Sequence, residues 1–228
     1  MAENRKPKET LVDSTYQKIK SDIAERRLCP GERINLKELS TRYQVSETPL
    51  KQALVRLVSE DLVEDTPRKG MKIKELSYED LDELFDMRLM MELFYLDKIL
   101  FTCRCSPDLL DELADNVARN RALVAETTGD LDAFVKNYEF DYAFHILFLR
   151  FSGCRRLLQL YQKLNTHSYS NYLYRRQSRE RTLAGIREHQ EIVDALASGD
   201  AERLRTAVTV HIENARSVAK MAIKLGSL

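Results

Sequence analysis

Apolar residues recur at helical spacing over most of the chain, and the places where that rhythm stops divide it in two. After a polar stretch, residues 1–10, that reads as a frayed tail, Leu11, Tyr16, Ile19, Ile23 and Leu28 fall at helical spacing. CPGERI then breaks the pattern, because Pro30 and Gly31 favour a turn. A short helix from Leu36 to Tyr43 follows, then QVSETP, then a second short helix from about Thr48 to Glu60. Ser46 is placed to cap that second helix through its hydroxyl, and Pro49 falls in the first turn, where its missing N–H costs nothing. DLVEDTPRKGMKIKEL predicts two short strands, around Leu62–Val63 and Met71–Ile73, joined by a turn at Pro67 to Gly70.

From Tyr78 onward the pattern is helical throughout. It predicts helices over Tyr78–Phe101, Pro107–Glu126, Asp130–Phe151, Arg155–Gln177, Arg181–Ala197 and Asp200–Leu225. The connections are short, as in an antiparallel bundle of six or seven helices. The expected architecture is therefore mainly α. A helix-turn-helix with a small β wing occupies residues 11–75, and an all-α bundle occupies residues 76–228.

Composition changes this picture little. Hydrophobic residues make up 43%, with seven Gly and five Pro, and 36 basic groups balance 36 acidic ones, which excludes a uniformly basic protein but not a local basic surface. Residues 1–75 carry three more basic than acidic groups, and the remainder carries three more acidic than basic. Cys29, Cys103, Cys105 and Cys154 form no CxxC pair and read as reduced thiols of a cytoplasmic protein. No apolar run approaches the ~20 residues of a membrane span.

Helix, helix, tight turn, helix and a two-stranded wing is the layout in which the helix after the turn enters the DNA major groove. That helix begins SETPLKQALVRL. Thr48 can bond a phosphate or base edge, Lys51 and Arg56 supply charge, and Arg68, Lys69 and Lys72 arm a wing whose Gly70 permits close backbone approach. On spacing alone a small packing module with a solvated basic face fits equally. PGERINLKELSTRYQVSETPLKQALVRLVSEDLVEDTPRKGMKI resembles the N-terminal domain of the GntR family of bacterial transcriptional regulators. Pro30–Gly31, Leu36, Leu39, Val45–Ser46, Thr48–Pro49, Ala53–Leu54, Leu57, Leu62–Val63 and Gly70 fall on the family's PG, LAxxLGVSRTPVREALxxLxxEGLV and wing-glycine pattern. Glu47 stands where the family usually has Arg, and Lys51–Gln52 where it has Arg–Glu. Glu accepts from a cytosine amino group but cannot donate to guanine, so the operator sequence does not carry over. The resemblance implies a DNA-facing set of Lys37, Ser46, Glu47, Thr48, Lys51, Arg56, Arg68, Lys69 and Gly70.

FDYAFHILF places Asp141 and His145 four residues apart, on one face of an otherwise apolar helix. All four histidines, His145, His167, His189 and His211, are spaced 22 apart, but their flanks share nothing and make no repeat. Three imidazoles and a carboxylate meeting in a bundle would suit a divalent first-row metal. The arrangement resembles the effector-binding FCD domain in the FadR branch of the GntR family. Asp141–His145, His189 in REHQEIVDAL, the ASGDAE turn and His211 in VTVHIENA match that domain's Asp-x-x-x-His, (E/D)H-x-x-(I/L), G-D-A and third-His elements. His167 falls outside the set.

The resemblance implies a bound divalent ion, zinc or nickel, and a small organic-acid effector completing its coordination. It also implies Arg88 as the effector's anion partner, with Asn214 a further pocket residue, and a homodimer on double-stranded operator DNA. Arg88 read alone fits a surface salt bridge to Glu92 at i+4. Two other readings use the same residues. One is a metal-dependent hydrolase on the Asp/His3 centre, with Glu188 and Glu139 its only near candidates for a general base. The other is a metal-free buried polar network.

Overall fold

A computed structural model of the chain describes residues 10–75, 77–126, 131–164 and 178–226, and His167 with most of the Tyr/Arg-rich stretch after it lies outside them. Among the described residues are ten helices and two strands. They divide into two compact units, Met1–Leu76 and Ser77–Leu228.

The first unit holds α1 (Leu11–Ala24), α2 (Leu36–Tyr43), α3 (Glu47–Ser59), β1 (Val63–Thr66) and β2 (Gly70–Ile73). Thr10 and Asp13 cap α1 reciprocally, each side chain bonding the other's backbone N–H. The helix stops at Ala24, short of the predicted Leu28, because Arg26 turns into the left-handed region at φ 56. Leu28 is still buried, since the turn folds it back and its N–H reaches Asp22 O at 3.1 Å. Between α2 and α3, Gln44 adopts φ 56, ψ 45 and closes the tight turn. Ser46 occupies the N-cap position of α3, but its hydroxyl makes no capping bond. Leu50, Ala53, Leu54 and Leu57 form the buried face of α3, against Tyr16 and Ile19 of α1. The two strands pair antiparallel from Val63↔Ile73 to Thr66↔Gly70, and Gly70 at φ 82 lets the turn close.

The second unit comprises α4 (Tyr78–Phe94), α5 (Leu96–Cys105), α6 (Pro107–Glu126), α7 (Leu131–Arg150), α8 (Arg155–Lys163), α9 (Arg179–Ser198) and α10 (Ala201–Gly226). The single helix expected over Tyr78–Phe101 divides at Tyr95, whose φ −100, ψ 10 leaves the helical region. The bend returns Leu96, Ile99, Leu100 and Cys103 to the core, a change of direction that an unbroken apolar run conceals. In the bundle α4 packs on α10, α10 on α9, α9 on α6 and α6 on α7. Phe144, Phe148, Phe151, Tyr161, Ile192, Leu204 and Ile212 are fully enclosed.

Gly199 ends α9 at φ 70, and a Cβ there would stand 2.8 Å from Arg104 Nη2. That guanidinium donates to Gly199 O at 2.9 Å. Gly199→Ala is therefore expected to cost about 1–2 kcal/mol from left-handed strain, with the Arg104 bond displaced as well. Urea unfolding followed by circular dichroism measures it.

Candidate functional site

The polar centre of the second unit grows from three helices that each turn one polar stripe inward. On α7, Asn137, Asp141 and His145 recur at i, i+4, i+8, and all three are buried. On α9 the stripe is Thr182, Gly185 and His189, and α10 contributes His211. The donor atoms of Asp141, His145, His189 and His211 lie within 4.8 Å of one another. His145 Nε2 is 3.2 Å from His211 Nε2, His189 Nε2 is 3.3 Å from His211 Nε2, and His189 Nε2 is 3.4 Å from Asp141 Oδ1. Phe144 stacks on the His189 ring, centroids 3.9 Å apart and planes 9° from parallel, and fixes that ring's plane.

The tautomers follow from the partners. His145 Nδ1 faces Glu92 Oε2 at 3.1 Å and His211 Nδ1 faces Glu188 Oε2 at 3.0 Å. An ionised carboxylate only accepts, so each Nδ1 carries the hydrogen and, in the neutral ring, leaves Nε2 as the lone-pair atom. Lone pairs converging in a dry interior repel unless a cation lies among them, and here the Arg88 guanidinium stands against two of the three Nε2 atoms. At metal–nitrogen lengths of about 2.0–2.1 Å, neighbouring ligand atoms on one ion stand about 3.0–3.4 Å apart, so the observed separations fit a coordination sphere. These four residues could hold a divalent metal. The carboxylates behind them are the usual orienting partners of metal-bound histidine.

Two clamps hold those carboxylates. Glu92 accepts from Arg88 Nε at 2.7 Å and from the Tyr161 hydroxyl at 3.0 Å. Burial works against its ionisation, but the cationic form of His145 and the Arg88 guanidinium reverse this and hold the carboxyl far below its usual range. Arg88 is the partner that stays charged at neutral pH. Glu188 receives both Arg181 Nη atoms, at 2.6 and 2.8 Å, and Asn214 Nδ2 at 2.8 Å. Burial again raises its pKa, yet the His211 and Arg181 bonds prevail and bring it down to about 2. Arg88 thus makes the i+4 bridge to Glu92, but buried rather than on the surface, and its Nη2 also reaches His145 Nε2 at 2.5 Å and His211 Nε2 at 3.4 Å.

In the first unit, Thr48, Lys51, Gln52 and Val55 form one exposed face of α3 at i, i+3, i+4, i+7, with Val55 60% exposed. Lys51 pairs with Glu47 at 2.9 Å, a contact that holds the Glu47 carboxyl below its usual range. Arg56 is turned toward α1, lying 3.9 Å over the Tyr16 ring and 3.1 Å from Asp13, and Lys72 pairs with Glu64 at 3.0 Å. Lys37, Ser46, Arg68, Lys69 and Gly70 are exposed, and among the described residues Lys37, Arg68 and Lys69 stand in no ion pair.

Residues 11–73 match "Bacterial regulatory proteins, gntR family" and residues 83–214 match "FCD domain". The chain is a GntR-family transcriptional regulator with an FCD domain. Its relatives include BphR of Paraburkholderia xenovorans, an HTH-type transcriptional regulator 24% identical over 92% of this chain and 86% of that one. The Nta operon transcriptional regulator of Aminobacter aminovorans is 28% identical over 81% of this chain and 82% of its own. In fold the chain is similar to E. coli McbR/YncC, with a TM-score of 0.72 and 20% identity over 93% of this chain and 98% of that one.

The matched families and relatives are regulators rather than enzymes, and the hydrolase alternative finds no support among them. The site agrees. Glu188 is engaged by Arg181, His211 and Asn214, and Glu139 is exposed and lines a separate cleft from the cavity of the centre, so neither candidate base is placed to act. Asn214 reaches the centre through Glu188 rather than directly. Glu92, Tyr161 and Glu188 escaped the sequence reading as orienting residues. The signal available was their fixed offset from known positions: Glu92 four residues after Arg88, and Glu188 adjacent to His189.

Burial is the first cause that lowers the imidazole pKa values of His145 and His189, with neighbouring cations adding to it. In the unfolded chain these rings protonate near pH 6.5, while in the folded regulator they stay neutral to lower pH. The unfolded state therefore takes up protons first, and stability falls as pH drops below about 6.5. In chelator the urea midpoint should decline from pH 7.5 to 5.5, with a shallower decline in His189→Gln.

Proposed function

We propose that this regulator binds a pseudo-palindromic operator as a homodimer in the cytoplasm, under the control of a small carboxylate effector. The effector binds beside a divalent metal held by Asp141, His145, His189 and His211. The observation that carries the reading is the convergence of three imidazole nitrogens and one carboxylate, with two of the imidazoles backed by further carboxylates. Zinc and nickel are the ions that such nitrogen-rich donor sets favour. Such an ion supplies coordination positions to an effector carboxylate. The protein's part is to hold the imidazoles in one tautomer through Glu92 and Glu188, to exclude water, and to present the Arg88 guanidinium to the anion. Asn214 contributes by fixing Glu188.

Met87, Met90 and Phe94 recur along α4 at i, i+3, i+7, with Phe101 following on α5, and they are 41%, 60%, 78% and 68% exposed. An apolar stripe of this size supports a second copy as partner. Among the described residues, no helix is long and apolar enough to cross a membrane. In the DNA-reading unit, Thr48, Lys51, Gln52 and Val55 would face the major groove, with Val55 suited to a thymine methyl and Glu47 to a cytosine amino group. Arg68, Lys69 and Gly70 would follow the backbone. The effector alters operator affinity only by as much as it prefers one arrangement of the dimer over another.

Protein purified without an affinity tag is expected to carry about one metal ion per chain, and Glu188→Gln to weaken metal affinity by about 10–100-fold. Metal analysis and a competing chromophoric chelator measure both. Stoichiometry below about half an ion per chain, with melting unchanged by chelator, would overturn the metal reading. For DNA, anisotropy with the region upstream of its own gene should show sequence-preferring, salt-sensitive binding. In the dimer, Lys69→Ala should shallow the log–log salt slope by about two, one for each head. Sequence-independent binding under every effector condition would sink the regulatory reading.

A further inference from the structure

One turn and more from the metal ligands, the pocket is lined by polar groups that the centre does not use. Asn120 on α6, Asn137 on α7 and Thr182 on α9 line the same cavity as Asp141, His189 and His211, and they are 3%, 4% and 6% exposed. Among the described residues, Asn120 Oδ1, Asn137 Oδ1 and Thr182 Oγ have no hydrogen-bond partner. Buried polar atoms are nearly always paired, so three orphans on one cavity wall call for a ligand. Between these groups and the centre, the α9 wall is left clear. A Cβ at Gly185 would meet nothing within 4 Å.

We propose, resting on the effector reading above, that the pocket takes a small hydroxy acid whose hydroxyl groups are bound by Asn120, Asn137 and Thr182. A hydroxyl both donates and accepts, so it meets a carboxamide in either orientation. An ammonium group would also donate to these oxygens, but Arg88 and Arg181 line the same cavity and repel a second cation. A plain alkyl chain would leave all three polar atoms unpaired. Asn137 lies one turn from Asp141 along α7, about 6 Å, and Thr182 two turns from His189 along α9, about 10 Å. The carboxylate and the hydroxyls of the ligand are therefore a few bonds apart. The cavity offers about 40 Å3 to water-sized groups, which suits a ligand of few carbons.

Calorimetry on the zinc-loaded full chain decides this with acetate, butyrate, 4-aminobutyrate, 4-hydroxybutyrate and threonate. Threonate or 4-hydroxybutyrate is expected to bind at least about tenfold more tightly than butyrate, because a site built for a hydroxyl rejects its deoxy analogue. The preference should shrink to within about twofold in Asn137→Ala and Thr182→Val combined, while acetate affinity and metal content are retained. Acetate bound with butyrate equal to threonate, or 4-aminobutyrate the tightest, would overturn the hydroxyl subsite and leave the effector reading standing. No acid bound by the zinc-loaded chain, acetate included, would overturn both.

Discussion

The bundle is organised around an electrostatic demand: three imidazoles bring their Nε2 atoms together at one point in a dry interior, with the Asp141 carboxylate beside them. That arrangement is unfavourable by itself, and the surrounding residues answer it in layers. Carboxylates on the far nitrogens of His145 and His211 fix the orientation of those two rings. Guanidiniums and a phenol then hold those two carboxylates. Phe144, stacked flat on His189, removes the remaining rotational freedom of that ring.

This demand also explains why the polar residues lie on helices in the core rather than on loops at its edge. Helix backbones satisfy their own N–H and C=O groups, leaving side chains as the only polar features to be matched. A stripe at i, i+4, i+8 then presents a graded column: Asn137, Asp141 and His145 differ in chemistry but share one face. The column lets one helix carry both candidate metal ligands and a neutral polar group that lines the same pocket. The large aromatic residues of α7 occupy the neighbouring face, which is why FDYAFHILF looks like core interrupted by two polar residues.

Much of the fold was legible because its signals are local. Turn glycines and apolar periodicity give element type directly, and the wing follows from alternation around Pro67 to Gly70. The Tyr95 bend was not legible, since nothing in ELFYLDKIL breaks helical periodicity and only packing against the rest of the bundle makes the chain turn. The four metal-candidate residues were suggested by family resemblance; spacing merely permitted them. Their meeting is a tertiary fact that depends on the register of α7, α9 and α10. Asn120 and Asn137 carried no signal, because an Asn on a helix reads as a surface residue until burial is known. Arg56 illustrates the converse: its charge suggested a DNA contact, but the Tyr16 ring and Asp13 hold it within the domain.

The pairing of basic residues in the DNA-reading unit has a consequence for how such a protein would search a genome. Lys51, Arg56 and Lys72 are already neutralised by Glu47, Asp13 and Glu64, so in a lone head Lys37, Arg68 and Lys69 would carry most of the counterion release on meeting a duplex. It should let go of random sequence readily. In the proposed dimer, occupancy would then depend on tethering, because once one head lands, the second is presented at a high local concentration. Any ligand that alters how well the second head reaches its half-site acts on a product of two modest affinities, and a small structural change suffices to switch it.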